Sequence, residues 1–232
     1  MEQLVLGIRR PPIKGAAAAS SKRPNTRVTM DQWPQLRDQV LQRDNFTCTY
    51  CGFRAKKFQR VHFRHGEPTD LHVDNLATAC IFCEQCYELE SVPRMHSGQL
   101  IWLPEISHTD LHHLTRALYV ARMQEDHDIS KTAQRILEQL LARRTEVRKR
   151  LGTDDVAVLT TAMTEVMDAK TYARRGTILA GVRLFPLPRR LQNSDPNSDQ
   201  FDTIIKYWMS LEGPFMAGTP KEWLRLAEKI AA

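Results

Sequence analysis

Two cysteine groups constrain this chain more than any other feature: Cys48-x2-Cys51, and Cys80-x2-Cys83 followed by Cys86. A tight Cys-x2-Cys turn points both sulfurs inward, and two such hooks supply the four thiolates of a tetrahedral zinc site. The 28 residues between the hooks, 52–79, exceed the usual ribbon spacing, so that stretch is expected to be a structured unit held by the metal. One structural Zn2+ is the expected cofactor, with Cys48, Cys51, Cys80 and Cys83 as its ligands. The plain alternative is a set of buried free thiols. Cys86 is a fifth sulfur, read either as a core thiol or as a ligand in place of Cys80 or Cys83.

A chain of 232 residues with 42% hydrophobic content has room for one or two domains and can build a core. No apolar run approaches the ~18 residues of a membrane span. The opening MEQLVLGIRRPPIKGAAAAS has a short apolar run with its basic residues after it, the wrong order for a secretion signal. A reduced, cytosolic protein is expected, which suits zinc thiolates better than disulfides. The net charge is +6, but residues 1–30 hold six basic residues against Glu2 and so carry +5 of it. The basic excess belongs to an N-terminal arm, expected to be mobile. It reads as a solvated tail, or alternatively as a phosphate or lipid contact. The rest is nearly neutral, which argues against a nucleic-acid partner.

Residues 3–9 are a strand candidate and 10–28 a linker. A helix is expected from an Asp31 cap to about Arg43, with Trp33, Leu36, Val40 and Leu41 on one face and Pro34 in its first turn. Residues 58–63 and 99–103 read as strands. Ser107 caps a helix carrying Leu111, Leu114, Leu118 and Ala121, and Ser130 caps another that Gly152 stops. A third helix is expected from Asp155 to Met167, an extended run over 182–188 and a loop over 192–199. Two short helices close the chain, Phe201 to Leu211 and Pro220 to Ala231, the last opened by the capping box Thr219-Pro-Lys-Glu222. His112 and His113 are adjacent on a helix and point about 100° apart, a poor chelating pair. Trp102, Trp208, Phe215 and Trp223 read as core, or as the lining of a partner groove.

The stretches 36–52 and 74–83 resemble the HNH, or ββα-metal, module: Arg43-Asp44-x-Phe46-x-Cys48-x2-Cys51-Gly52, then Asn75-Leu76 opening the helix that bears Cys80-x2-Cys83. That likeness favours Cys80 and Cys83 over Cys83 and Cys86, because Asn75-Leu76 keeps its distance to Cys80. In working HNH enzymes a strand histidine is the general base, and a second metal stabilises phosphate charge. The matching stretch is Val61-His62-Phe63-Arg64-His65: His62 falls on the metal-ligand position and Phe63 on the base. Glu84 stands where a later histidine is usual, while Asn75 is present. A one-residue shift would bring His62 into the base role, with His65 a further candidate. An HNH-type metal-dependent DNA nuclease is the alternative function. The plainer reading of His62 and His65 is a strand edge facing solvent.

The runs CTYCGFRAKKFQ (48–59), DNLATACIFCEQCYELESV (74–92) and GQLIWLPEISHTDLHHL (98–114) are similar to the IcmJ/DotN family of the Dot/Icm type IVB secretion system. The Cys86 context, Ser-Lys-Thr-Ala-Gln at 130–134 and Arg-Leu-Phe-Pro-Leu-Pro at 183–188 share in the likeness, which spans roughly 30–208. The resemblance implies a non-enzymatic subunit of the coupling complex, in the bacterial cytoplasm and peripheral on the cytosolic face of the inner membrane. There it would hold the C-terminal tail of the coupling ATPase, beside effector-adaptor proteins. It implies an HNH-like fold that kept its structural zinc and lost its catalytic base, in agreement with Phe63. The expected fold class is α+β. An arm at 1–29 precedes an HNH-like ββα zinc module at 30–104, and a mainly helical region at 105–232 packs on the module.

Overall fold

The computed structural model describes residues 4–9, 32–64, 70–192, 195–215, 218, 220, 222 and 223. It is α+β, with short helices and two-stranded antiparallel sheets. The chain divides into two units that interleave in sequence: Met1–Ser91 with Val156–Ala180, and Val92–Asp155 with Gly181–Ala232. The division is not the sequential one expected at 104/105. A stretch from the helical half, Val156–Ala180, joins the cysteine-bearing unit.

In the first unit, α1 (Trp33–Arg43) carries Pro34 in its first turn and buries Leu36, Val40 and Leu41. The expected cap Asp31 lies outside the described residues; Gln32 holds the N-cap position. β1 (Gln59–Phe63) pairs antiparallel with β2 (Leu76–Cys80), Gln59 opposite Cys80 and Phe63 opposite Leu76. α2 (Ile81–Tyr87) follows without a break. Asn75-Leu76 therefore opens a strand, not a helix: Asn75 ends a 3-10 turn and Leu76 starts β2. Val61 and Phe63 of β1 and Leu76 of β2 pack with Leu36, Val40 and Leu41 of α1, and Trp33 stacks on Phe63 at 5.6 Å. The stretch expected as one helix over 155–167 is α7 (Val156–Thr161) and then a π-helical turn, Ala162–Val166. Two short helices follow, α8 (Ala169–Ala173) and α9 (Arg175–Ile178).

The N-terminal arm differs from expectation in the part that is described. Residues 4–9 form no strand, yet Leu4, Leu6 and Ile8 are buried. Residues 1–3 and 10–31 lie outside the described residues.

The second unit begins with α3 (Val92–Met95) and is organised on β3 (Gly98–Trp102), which pairs with β4 (Val182–Pro186), Leu100 opposite Leu184. α4 (His108–Arg122) starts at the expected Ser107 with a complete capping box to Asp110. Its buried face is Leu111, Thr115, Leu118 and Tyr119, and Leu114 is exposed instead of facing the core. α5 (His127–Ala142) is capped by Asp126. Ser130 lies inside that helix and donates to the Arg122 carbonyl. α6 (Arg144–Leu151) ends at Gly152 as expected. The loop expected over 192–199 holds a second hairpin, β5 (Leu191–Gln192) with β6 (Asp195–Asp199). α10 (Phe201–Met209) buries Trp208 in the core. His112 is buried and His113 exposed, in keeping with their divergent directions. Of the closing helix, Pro220, Glu222 and Trp223 are helical, while Thr219 and residues 224–232 lie outside the described residues.

Candidate metal centre

The first hook is built by a chain reversal after α1. Asn45 and Phe46 both take left-handed backbone (φ 50° and 54°), a conformation that a bulky residue such as Phe46 adopts only under tertiary constraint. The chain then doubles back: Cys48 N–H donates to Phe53 O at 2.9 Å and Gly52 N–H to Cys48 O at 2.8 Å. Gly52 sits at φ 71°, where a side chain would be strained. The second hook straddles the junction of β2 and α2. Cys80 is the N-cap of α2 and its Sγ accepts from Cys83 N–H at 3.4 Å. The sulfur that would bind a metal thus also caps the helix that presents Cys83.

The sulfurs of Cys48, Cys51, Cys80 and Cys83 all lie within 4.8 Å of one another, and each residue is at most 3% exposed. Cys51 Sγ and Cys80 Sγ are 3.7 Å apart. Four thiolates at 2.3 Å from a central ion would be about 3.8 Å apart, so the Cys51–Cys80 pair stands at that spacing and the four sulfurs could hold a metal ion. The five cysteines form no disulfide. The hydrogen bond with Cys51 holds Cys48 above the ordinary thiol range, while Cys51, the partner in that bond, is lowered. Burial raises Cys83. Thiolates crowded and buried this way need a cation, and an all-sulfur donor set selects a soft one. Cys86 is fully buried one turn further along α2, where its Sγ donates to Phe82 O at 3.5 Å. It is not among the four clustered sulfurs.

His62 is 3% exposed, which corrects its reading as a solvent-facing edge. The opposite face of β1 from Val61 and Phe63 carries it between Tyr50 and Tyr87, at ring distances of 5.8 and 4.9 Å. Its Nδ1 lies 3.7 Å from the Glu88 carboxylate. Burial would raise that carboxylate, but His62 and Arg9 outweigh it and hold Glu88 below its usual range.

No protein-family model matches the chain. It is 31% identical over 160 residues to the type 4 apparatus protein DotN of Legionella pneumophila subsp. pneumophila, an alignment covering 67% of this chain and 74% of that protein. The chain belongs to the DotN (IcmJ) family.

In this DotN-family chain Asn75 is buried 1% exposed and its side-chain amide donates to Asp70 O at 2.8 Å, so it ties down the turn leading into β2. His65 lies outside the described residues. Several residues around the hooks carry structural roles that no local pattern announces. Gln59 sends its amide nitrogen to Phe46 O (2.9 Å) and Phe53 O (2.8 Å), clamping both sides of the first hook from β1. Arg43 donates to Val73 O (2.9 Å) and Leu76 O (2.8 Å) and forks onto Asp44, and Asp44 Oδ2 accepts from Thr78 N–H at 2.8 Å. The Arg-Asp pair of the sequence motif is thus a bracket joining the end of α1 to β2. Thr49 N–H donates to Thr78 O at 2.9 Å and completes the link between the two hooks. Only the Arg43-Asp44 signal was available in sequence, and there only through the motif.

Proposed function

We propose that this protein is a non-enzymatic, zinc-stabilised subunit of a type IVB secretion apparatus. It works in the coupling complex on the cytosolic face of the inner membrane, where it holds the C-terminal tail of the coupling ATPase and so supports effector recruitment beside adaptor proteins. The observation that carries this reading is the four-sulfur cluster, Cys48, Cys51, Cys80 and Cys83, built into a chain of a family whose namesake is a type 4 apparatus protein. Zinc is the ion that such a closed, buried tetrathiolate set favours. The order β1, β2, α2 with hooks before and at the end of the hairpin supports an HNH-like frame. A scaffold role is supported by Phe63, which occupies the base position of that frame and is 8% exposed, stacked in the core on Trp33. His62, the described histidine of the two base candidates, is buried between two tyrosines. No described helix is long and apolar enough to cross a membrane, in keeping with attachment through partners.

The test is calorimetric titration of the purified chain with a peptide spanning the C-terminal tail of the same bacterium's coupling ATPase. Saturable binding in the micromolar range or tighter, lost in Cys83→Ser, is the expected result. A tail that does not bind the zinc-loaded chain would remove the adaptor reading.

A further inference from the structure

Residues Leu4–Arg9 run as a short extended segment gripped along both edges. On one side Gly7 N–H donates to Cys86 O at 2.8 Å, and Gly7 O accepts from Leu89 N–H at 3.1 Å, at the C-terminal end of α2. On the other side two side chains read its main chain. The Tyr172 hydroxyl of α8 accepts from Ile8 N–H (2.9 Å) and donates to Ile8 O (3.0 Å), and Arg175 Nε of α9 donates to Leu6 O (3.0 Å). The Arg175 guanidinium rests on the Tyr172 ring at 4.2 Å, so the two readers support each other. Leu4, Leu6 and Ile8 are buried, Val5 between them is half-buried, and Arg9 ends the segment with its N–H on Glu90 (3.0 Å) and its guanidinium on Glu88.

The fit selects sequence. A Cβ on Gly7 would stand 2.9 Å from Tyr172 Oη and 3.2 Å from Arg175 Nε. Making room would swing away the two groups that hold the segment. Main-chain bonds along the edges, alternate apolar side chains in pockets and a charged end are the way a groove recognises an extended peptide. The segment belongs to no helix or sheet and is held by these hydrogen bonds and three buried side chains, and elements outside the regular core open at lower free energy than it does. The segment is part of the same chain as the groove, so its docking is intramolecular.

We propose that the groove formed by the end of α2 with α8 and α9 is a peptide-recognition site, and that Leu4–Arg9 is its built-in, reversible ligand. The site takes an extended chain with apolar residues in alternation, then glycine, an apolar residue and a basic one. Arg9 supplies the cation that faces Glu88, so docking weakens as salt rises.

Amide exchange on the full-length protein tests this, comparing wild type with Gly7→Val in the presence and absence of a synthetic peptide of residues 3–10. Protection of residues 86–91 and 172–179 should fall at least tenfold in Gly7→Val. Metal content should be unchanged, and the wild-type peptide should restore protection where a Gly7→Val peptide does not. Tyr172→Phe, which removes the reading hydroxyl without adding bulk, should loosen the same two stretches to a smaller degree. Unchanged protection in Gly7→Val, or a loss that the wild-type peptide does not restore, would overturn the proposal, the second by showing that the segment is an integral part of the fold.

Discussion

Cys51 and Cys80, 29 residues apart in sequence, bring their sulfurs to 3.7 Å. That separation belongs to two corners of a metal tetrahedron. It is reached because Gln59, the strand partner of Cys80, also clamps the loop that carries Cys51. The centre is thus organised by the β1–β2 pairing as much as by the cysteines.

The first prediction separates the five cysteines. Protein purified under reducing conditions should hold one zinc per chain by elemental analysis. Cys83→Ser should lose it and unfold the unit it anchors, since structural zinc supplies on the order of 10 kcal/mol in small modules. Cys86→Ala should retain it and cost about 1 kcal/mol, the scale of a small buried truncation. Zinc lost from Cys86→Ala and kept in Cys83→Ser would invert the assignment.

Asp44 offers a test of the bracket. Asp44→Ala removes the acceptor of Thr78 N–H and the partner of Arg43, and should cost about 2 kcal/mol, within the usual range for a stranded buried donor. Urea denaturation reads this directly. A loss below about 0.5 kcal/mol would mean that the Arg43 bonds to the Val73 and Leu76 carbonyls hold β2 alone.

His108 in the second unit sets a pH dependence. Its Nε2 accepts from Leu184 N–H at 3.1 Å, and burial, with His112 and Arg183 nearby, holds its pKa well below the usual histidine value. A depressed folded-state pKa means the unfolded chain takes up the proton first, so stability is full above about 6.5 and falls as pH drops below it. Zinc thiolates lose stability in the same direction. The histidine share is therefore read as the difference between wild type and His108→Gln, whose denaturation midpoint should fall less between pH 7.5 and 5.5. Parallel pH profiles would exclude His108 as the cause.

Phosphodiester hydrolysis should be absent. Supercoiled plasmid incubated with the protein and Mg2+ or Mn2+ should stay intact, because Phe63, at the position that the HNH resemblance aligns with the base, is packed in the core. Phe63→Ala should cost about 3 kcal/mol through the cavity it leaves. Nicking that disappears in His62→Ala would show an enzyme.

What the sequence disclosed and what it hid divide along locality. The Cys-x2-Cys hooks, the Ser107 cap and the Gly152 stop are short-range signals, and the elements formed where those signals stood. Competing local options went astray. Asp126 accepts from Ile129 N–H at 3.3 Å and starts α5 one turn ahead of Ser130, and nothing in the spacing ranked one cap above the other. Leu76–Cys80, Leu-Ala-Thr-Ala-Cys, is a five-residue run too short for periodicity to separate strand from helix, and its pairing with β1 decided it.

The long-range ties were illegible. His62 sits on a strand whose two faces are both covered, so alternation could not show it buried. The docking of Leu6 and Ile8 depends on Tyr172 and Arg175, more than 160 residues away, and a Pro- and Ala-rich continuation disguised the segment as tail. The likeness to the HNH module supplied what periodicity could not, the preference for Cys80 with Cys83 as the second hook, and these two sulfurs cluster with Cys48 and Cys51.

The measurement that bears most directly on the account is affinity purification of the tagged chain from detergent-solubilised membranes of the bacterium that encodes it, with partners identified by mass spectrometry. Co-purification of a membrane-anchored coupling ATPase and small adaptor proteins, lost when Cys83→Ser removes the zinc, is the predicted result. Recovery of nucleic acid, or of the chain with no apparatus protein, would contradict the assignment to a secretion coupling complex.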